Sequence, residues 1–274
     1  MATYDVTVNG VSLHTLGYQC DVITGRRGPA GRRNTFLELG GMDGVVGKSG
    51  PILPLDFGLE LWVHGRDPLT GARPADPALQ HELNMDTVLR PFLRPGDHDV
   101  RIAHPGGERQ ALALVTATAA TEVKKGLDPI TRLSVAYRAM DGAWRSPETF
   151  TRTYTSIGSD PAWTAVDFLQ TCSAPIVDAV LTVTGPVTNP RIEAGNGAPI
   201  VQYVGVLAEG ETWTIDSGTW DSRVGSVSVI TSTNYHGSRG RLLTIDQPYQ
   251  LRCVGSSVGS GAQWTITAHQ KWAG

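Results

Sequence analysis

Short runs of alternating apolar and polar residues, broken every few positions by Gly, Pro, Asn or Asp, constrain this chain more than any other feature. Tyr4-Asp5-Val6-Thr7-Val8 alternates, Asn9-Gly10 follows, and Val11-Ser12-Leu13 alternates again. A period of two puts the apolar side chains on one face of a pleated strand. Asn-Gly between two such runs supplies the positive-φ pair of a tight hairpin. The same reading predicts strands at 18–24, 57–64, 100–103, 110–118, 131–139 and 149–154. Asp141-Gly142 reads as another hairpin turn, with its return strand starting near Ala143-Trp144. Beyond Cys172 strands are expected at 176–183, 190–194, 200–207, 212–216, 226–230, 242–245, 249–254 and 263–268. Many short strands joined by such turns make a sandwich or jelly roll. Gly210-Glu211-Thr212-Trp213-Thr214-Ile215 and Gly261-Ala262-Gln263-Trp264-Thr265-Ile266 echo each other, as any turn leading into an alternating strand can.

One helix interrupts the pattern. Asp76 is an N-cap residue and Pro77 suits the first helical position. Leu79, Leu83, Met85, Val88, Leu89 and Phe92 recur at roughly helical spacing, and Pro91 and Pro95-Gly96 end the run. A helix over about 77–93 with such a stripe needs a sheet to lie on. Residues 1–155 are therefore expected to form a β-barrel or sandwich with one packed helix. Residues 156–274 are expected to form a second, C-terminal β-sandwich. Their junction carries Gly158-Ser159 and then Asp160-Pro161, read as the cap of a short helix through Trp163, Val166, Phe168 and Leu169.

Composition narrows the function classes. Hydrophobic residues are 40% of 274, enough for a core, which excludes wholesale disorder. Basic and acidic groups number 17 and 17 up to residue 155, and 6 and 9 after it, so neither half is a basic nucleic-acid-binding domain by bulk charge. No apolar run is long enough for a membrane-spanning helix, and MATYDVTVNG does not read as a secretory leader. Cys20, Cys172 and Cys253 are odd in number and far apart, which suggests buried thiols from a reducing compartment.

Several motifs fail on context. In Gly41 to Ser49 the glycine before Gly47-Lys48-Ser49 stands one place too early for a phosphate loop, and Gly50-Pro51 precludes a helix after it. A glycine loop is the preferred reading there. Gly255-Ser256-Ser257-Val258-Gly259 spells a nucleophile elbow, but a strand rather than a helix follows and no acid lies beyond Ser257, so a hairpin turn is expected. Asp97-His98-Asp99 reads as the turn into a strand rather than a metal site, and Asp216 and Asp221 read as turn caps rather than a glycosidase pair. No catalytic residue, metal or cofactor is expected.

Two features are less neutral. Gly25-Arg26-Arg27-Gly28-Pro29-Ala30-Gly31-Arg32-Arg33 is a cationic segment that suits neither helix nor strand. It is a solvated loop ordering against an acidic surface, or it contacts a neighbouring subunit or phosphate. Trp213, Trp220, Tyr203 and Tyr235 give the C-terminal region an aromatic set that would suit glycan stacking if exposed, although tryptophan in a strand is more often core.

Taken in order, certain segments resemble the distal tail proteins of long-tailed bacteriophages, especially those of actinobacterial hosts. They are Gly17-Tyr18, Asp21 through Pro29 with Gly31-Arg32-Arg33, Leu61 through Pro68, the capped helix from Pro77, Asp141 through Arg145, Thr188 through Ile192, Tyr203 through Leu207, and Gly210 through Asp216. Gly40 through Gly44 departs, because such proteins often carry an Arg-rich loop there. The resemblance implies a non-enzymatic virion protein, assembled in the host cytoplasm. Six copies would form a homohexameric ring at the tail tip, joining the tail tube protein to the tail hub and receptor-binding apparatus. The N-terminal domains would build the ring, galectin-like C-terminal domains would project from it, and genomic DNA would pass through its channel without any insertion into a membrane. Arg26, Arg27, Arg32 and Arg33 would then sit at a subunit contact or the channel, with the subunit contact favoured. The alternative is a glycan-binding module for adsorption to the host cell wall.

Overall fold

The computed structural model describes residues 5–24, 35–38, 45–48, 54–103, 107–126, 128–140, 142–195, 199–219, 221–235, 245 and 250–272, with backbone alone at 21–24, 35–38, 45–48 and 199. The protein is mainly β. Its strands in the first part are β1 (Val6–Val8), β2 (Val11–Ser12), β3 (Tyr18–Thr24), β4 (Thr35–Glu38), β5 (Val45–Lys48), β6 (Leu55–His64), β7 (His98–Ile102), β8 (Arg109–Lys124), β9 (Ile130–Ala139) and β10 (Trp144–Tyr154), with helix α1 (Pro77–Leu89) after β6. Two compact units divide the chain, Met1–Pro147 and Glu148–Trp272, so β10 starts in the first and ends in the second.

The first unit is organised by β8. Its opening residues pair with β7, from Ile102↔Arg109 to His98↔Ala113, and β7 continues to β1 and β2. From Ala113 onward β8 pairs with β9, then β9 with β6 and β6 with β3. The two arms enclose one core. Phe57, Leu59, Leu61 and Val63 alternate inward along β6, and Val6, Val8, Val100 and Ile102 of the other arm are buried as well. Phe57 packs on Tyr137 and Trp144 with ring centroids 5.2 and 4.8 Å apart, and His98 meets Tyr137 at 5.9 Å. Each such side chain withdrawn from water contributes about 1.5–3 kcal/mol.

Asn9-Gly10 makes the expected hairpin, with φ of 52° and 79°. Of the second expected turn, Asp141 lies outside the described residues, and Gly142 does not lead the chain back along β9. β10 pairs with β8 at Arg145↔Gln110, on the edge that β9 uses from Ala113 onward. Gly142 has a positive φ, 67°, and lies between two strands that run the same way along one neighbour. β4 and β5 pair as a hairpin in the region read as a glycine loop.

Helix α1 begins as expected: the Asp76 carboxylate accepts from the backbone N–H of Ala78 and Leu79, both at 3.1 Å. Its buried face, however, is Pro77, Asn84 and Val88, while Leu79 and Leu83 are 55% and 51% exposed. The expected stripe is thus rotated. Asn84 Nδ2 donates to the carbonyls of His64 (2.7 Å) and Arg66 (2.8 Å) at the end of β6, and its Oδ1 accepts from Gln80 (3.0 Å). These carbonyls need donors once covered, and a leucine there has none. Close approach is possible because Gly17 and Gly65 lack side chains: a Cβ would lie 2.7 Å from Asn84 Nδ2 at the first and 2.3 Å from the Pro77 carbonyl oxygen at the second.

The second unit adds β11 (Ile157–Gly158), β12 (Thr164–Ala165), β13 (Val180–Thr184), β14 (Val187–Thr188), β15 (Arg191–Ala194), β16 (Pro199–Tyr203), β17 (Val206–Leu207), β18 (Thr212–Asp216), β19 (Asp221–Val224), β20 (Val227–Ser228), β21 (Thr233–Tyr235), β22 (Gln250–Val254), β23 (Ser257–Val258) and β24 (Gln263–Trp272). One sheet runs β24-β13-β18-β19-β20, a second runs β22-β15-β16-β21 with β11 and β12 beside β22, and β17-β14-β23 form a small third. Leu181, Val183, Trp213, Trp264 and Ile266 of the first sheet pack with Ile192, Val201, Leu251 and Cys253 of the second. The echoed segments are equivalent in space: Trp213 and Trp264 both oppose Val183, from either side of β13, after turns whose Gly210 and Gly261 have φ of 79° and 87°. Of the expected strand at 242–245 only Ile245 is described, bridged to Ile176.

Asp160-Pro161 caps no helix. The segment gives β12 and one 3-10 turn, Asp167–Leu169. Asp160 instead pairs with Arg252 Nη1 at 2.6 Å, and the Arg252 guanidinium lies 4.3 Å over the Trp163 ring. Arg252 Nε and Arg191 Nε donate to the buried Glu193 carboxylate at 2.7 and 2.6 Å. Burial pushes the Glu193 carboxyl up, but these two hydrogen bonds outweigh it and hold the group below its ordinary range.

Two outcomes are expected in denaturation experiments. Asn84→Leu leaves two covered carbonyls without donors and lowers stability by about 2–3 kcal/mol. A depressed carboxyl contributes stability that is whole above its unfolded value, near 4.5, and is lost as pH falls through the lowered folded value. Glu193→Gln should therefore flatten the acid limb of the stability–pH curve below about pH 4.5 while destabilising the protein at pH 7.

Candidate functional site

The feature the first unit leaves unresolved is a strand edge. Past Ala113 β8 has outrun β7, and on that side no strand among the described residues pairs with it as far as Lys124. From Thr116 to Lys124 the side chains are exposed. Leu114-Val115-Thr116-Ala117-Thr118-Ala119-Ala120-Thr121 carries no charge and no proline. Lysine, proline or an inward charge normally guards such an edge against other chains. One register shift, Val115/Ala117, falls near the start of the run and another, Glu122/Lys124, just past its end. At the far end of the same sheet β3 pairs with β6 and with no other described strand.

Between these edges lies a balanced polar surface. Asp56 stands directly opposite Arg138, and Glu60 opposite Arg132, on paired positions of β6 and β9. Arg138 grips Asp56 with two hydrogen bonds, 2.7 and 3.0 Å, and the first of these effects holds the Asp56 carboxyl below its usual range. Arg132 pairs with Glu60 likewise. Exposed pairs of this kind add little stability. Their consequence is that each guanidinium on this face is already matched by a carboxylate.

The residues singled out from the sequence fare differently. Arg26, Arg27, Arg32, Arg33 and Trp220 lie outside the described residues. Trp213 is fully buried, and its indole N–H donates to Ser222 Oγ at 2.9 Å. It offers no face to a sugar, and the expectation of glycan stacking by this residue is corrected: strand alternation turned it inward. Tyr203 and Tyr235 are half-buried on the neighbouring strands β16 and β21. The Tyr203 ring packs 5.8 Å from Trp213 and against Gly205, where a Cβ would lie 2.6 Å from it. Asp216 accepts from the backbone N–H of Gly218 and Thr219, the turn cap expected of it, and Asp221 pairs with Arg223. His98 is buried in the first core, against the Arg94 carbonyl at 2.9 Å. Ser257 lies on β23, and its flanking Gly255 and Gly259 press on Val187 and Pro186, where a Cβ would come within 2.4 and 2.6 Å. The letters of an elbow thus record close backbone packing. Cys20, Cys172 and Cys253 are buried and in no disulfide, and burial pushes the Cys253 thiol up to about 12. Among the described residues no three His, Cys, Asp or Glu side chains gather as metal ligands. Sequence reading missed the open edge, because pairing partners are not encoded in a strand's own residues.

No protein-family model matches the sequence, and no curated protein matches it. Solved structures do match. The Dit protein (gp 19.1) of phage SPP1, described as a paradigm of the hub adsorption apparatus in phages infecting Gram-positive hosts, aligns over 98% of this chain and 98% of its own at a TM-score of 0.63, with 9% sequence identity. The fold is that of a phage Dit protein. Chains of the phage p2 baseplate in its activated conformation, with Sr and with Ca, align over 97% of both chains at 10% identity and a TM-score of 0.41, a looser likeness. The Dit fold accounts for both units and leaves neither as an addition. Within it Trp213 is a core residue, so Trp213→Ala should cost about 3–5 kcal/mol in chemical denaturation, whereas removal of an exposed sugar platform would leave stability nearly unchanged.

Proposed function

We propose that this protein is a structural component of a phage tail tip, a ring-forming distal tail protein that works by assembly and not by catalysis. The near-complete alignment of both chains with SPP1 Dit carries this reading. The open edges of β8 and β3 support it physically. A monomer that ends its life alone has no use for an unguarded edge of this length. A contact between two different surfaces, repeated by rotation, closes into a ring. In this reading six copies surround a channel through which genomic DNA leaves, the ring joins the tail tube protein to the hub, and assembly takes place in the host cytoplasm before the protein is found in the virion. The matched Asp56–Arg138 and Glu60–Arg132 pairs suit a protein near moving DNA, because unmatched arginines hold phosphate.

The concentrated protein should sediment as a species six times the mass of the chain, and images of tail tips labelled on this protein should show one six-fold ring. Monomers at every concentration, together with tail tips that lack such a ring, would sink the proposal.

A further inference from the structure

The geometry points to a covalent bond within the second unit: an amide between Lys271 Nζ and the side-chain carboxyl of Asp178, made by the chain itself with loss of one water. The inference concerns that unit alone and does not depend on the ring-forming reading.

Lysine is almost never fully buried. The Lys271 side chain is nevertheless only 1% exposed, and its Nζ stands 3.2 Å from Asp178 Oδ1. The position follows from the length of β24. Its pairing with β13 ends at Thr267↔Val180, and β24 runs on to Trp272. The segment that leads into β13 folds over this overhang. Cys172 Sγ accepts from the backbone N–H of Lys271 at 3.2 Å, and the Lys271 carbonyl accepts from Ser173 and Ala174 at 3.0 and 3.3 Å. Cys172, Ala174, Ile176 and Ala179 of the same segment are buried. Backbone bonds thus hold the amine and the carboxyl in contact, and groups held so react without the entropy cost of finding each other. A buried ion pair recovers only part of its desolvation cost, whereas an amide carries no charge.

A second carboxyl lies beside the pair. Asp216 stands on β18 opposite Val180. The point that a Cβ on Gly218 would occupy is 3.3 Å from Asp216 Oδ1 and 3.9 Å from the Asp178 Cβ. Asp216 is therefore placed to move a proton. The Lys271 ammonium first passes a proton to the Asp178 carboxylate, which leaves an amine and an acid. The Nζ lone pair then forms the bond to Asp178 Cγ, and one Cγ–O bond breaks. Asp216 takes the proton that nitrogen sheds and returns it to the departing hydroxyl, which leaves as water. Two hydrogens from the ammonium and one oxygen from the carboxylate make up that water, so no oxidant or reductant is needed. The Asp178 side chain is 23% exposed, which gives the water a way out. The bond closes the chain from 178 to 271 into a loop, and closing so long a loop removes entropy from the unfolded state.

Intact-mass spectrometry of the folded full-length chain tests this. The mass should lie about 18 Da, one water, below the value its sequence gives. Trypsin should release one branched peptide, 153–191 joined through Asp178 to 253–274 and uncut after Lys271. Lys271→Arg should restore the full mass. Asp216→Asn keeps the oxygen that accepts from Gly218 and Thr219 but removes the proton carrier, and should lower the joined fraction of freshly purified protein at least about tenfold. A wild-type chain of full mass overturns the inference, and so does a loss of water that the digest locates elsewhere. Joining in Asp216→Asn as complete as in the wild type overturns the part assigned to Asp216.

Discussion

Backbone hydrogen bonding along β8 is the constraint on which the first unit depends. An N–H or C=O group must be paired or wet. β8 is sixteen residues long, and no single neighbour matches its length. On one edge β10 and β9 follow one another end to end. On the other β7 stops at Ala113. The first part of β8 therefore belongs to both arms and closes the core around Phe57, Tyr137 and Trp144. The second part extends beyond that core with its side chains in water and, among the described residues, one edge unpaired. The same strand that closes the first core thus also carries the exposed run beyond it.

Placement of α1 shows how the remaining polar groups are handled. The sheet end at His64 and Arg66 would be covered without donors, and Asn84 reaches both carbonyls at once. Gly17 and Gly65 permit the approach by what they lack. In the second unit a comparable task falls to charges. Glu193 sits between Arg191 and Arg252, and Arg252 extends the network to Asp160 and Trp163. Of these groups only the Glu193 carboxylate is buried, and its two guanidinium partners supply the hydrogen bonds it loses from water.

Periodicity and turn chemistry were legible where they act locally. Asn9-Gly10, the strands 18–24 and 212–216, and the Asp76 cap of α1 follow from a few adjacent residues whose conformations the rest of the chain does not override. Readings that depend on a distant partner went differently. Asp141-Gly142 has a hairpin's residues, yet β10 pairs with β8 and not with β9. Leu79 and Leu83 complete an apolar stripe on paper, yet the two carbonyls at the end of β6 turned Asn84 inward. Asp160-Pro161 has the form of a cap, and Arg252 took the carboxylate. Trp213, a glycan-contact candidate that could equally be core, is set by strand alternation against Val183 and Ser222.

By itself the sequence determined that this chain is β-rich, where most of its strands lie, that one capped helix interrupts them, and that its ordered motifs resemble a distal tail protein. These properties reside in short-range spacing and side-chain chemistry, which each segment carries with it. The tertiary structure alone decided which strands pair, which face of α1 is buried, that Trp213 and Trp264 flank β13 as equivalents, and that β8 outruns β7 to leave an edge. Strand pairing is a relation between segments far apart in the chain, and a strand reads the same whether its edge is filled or bare.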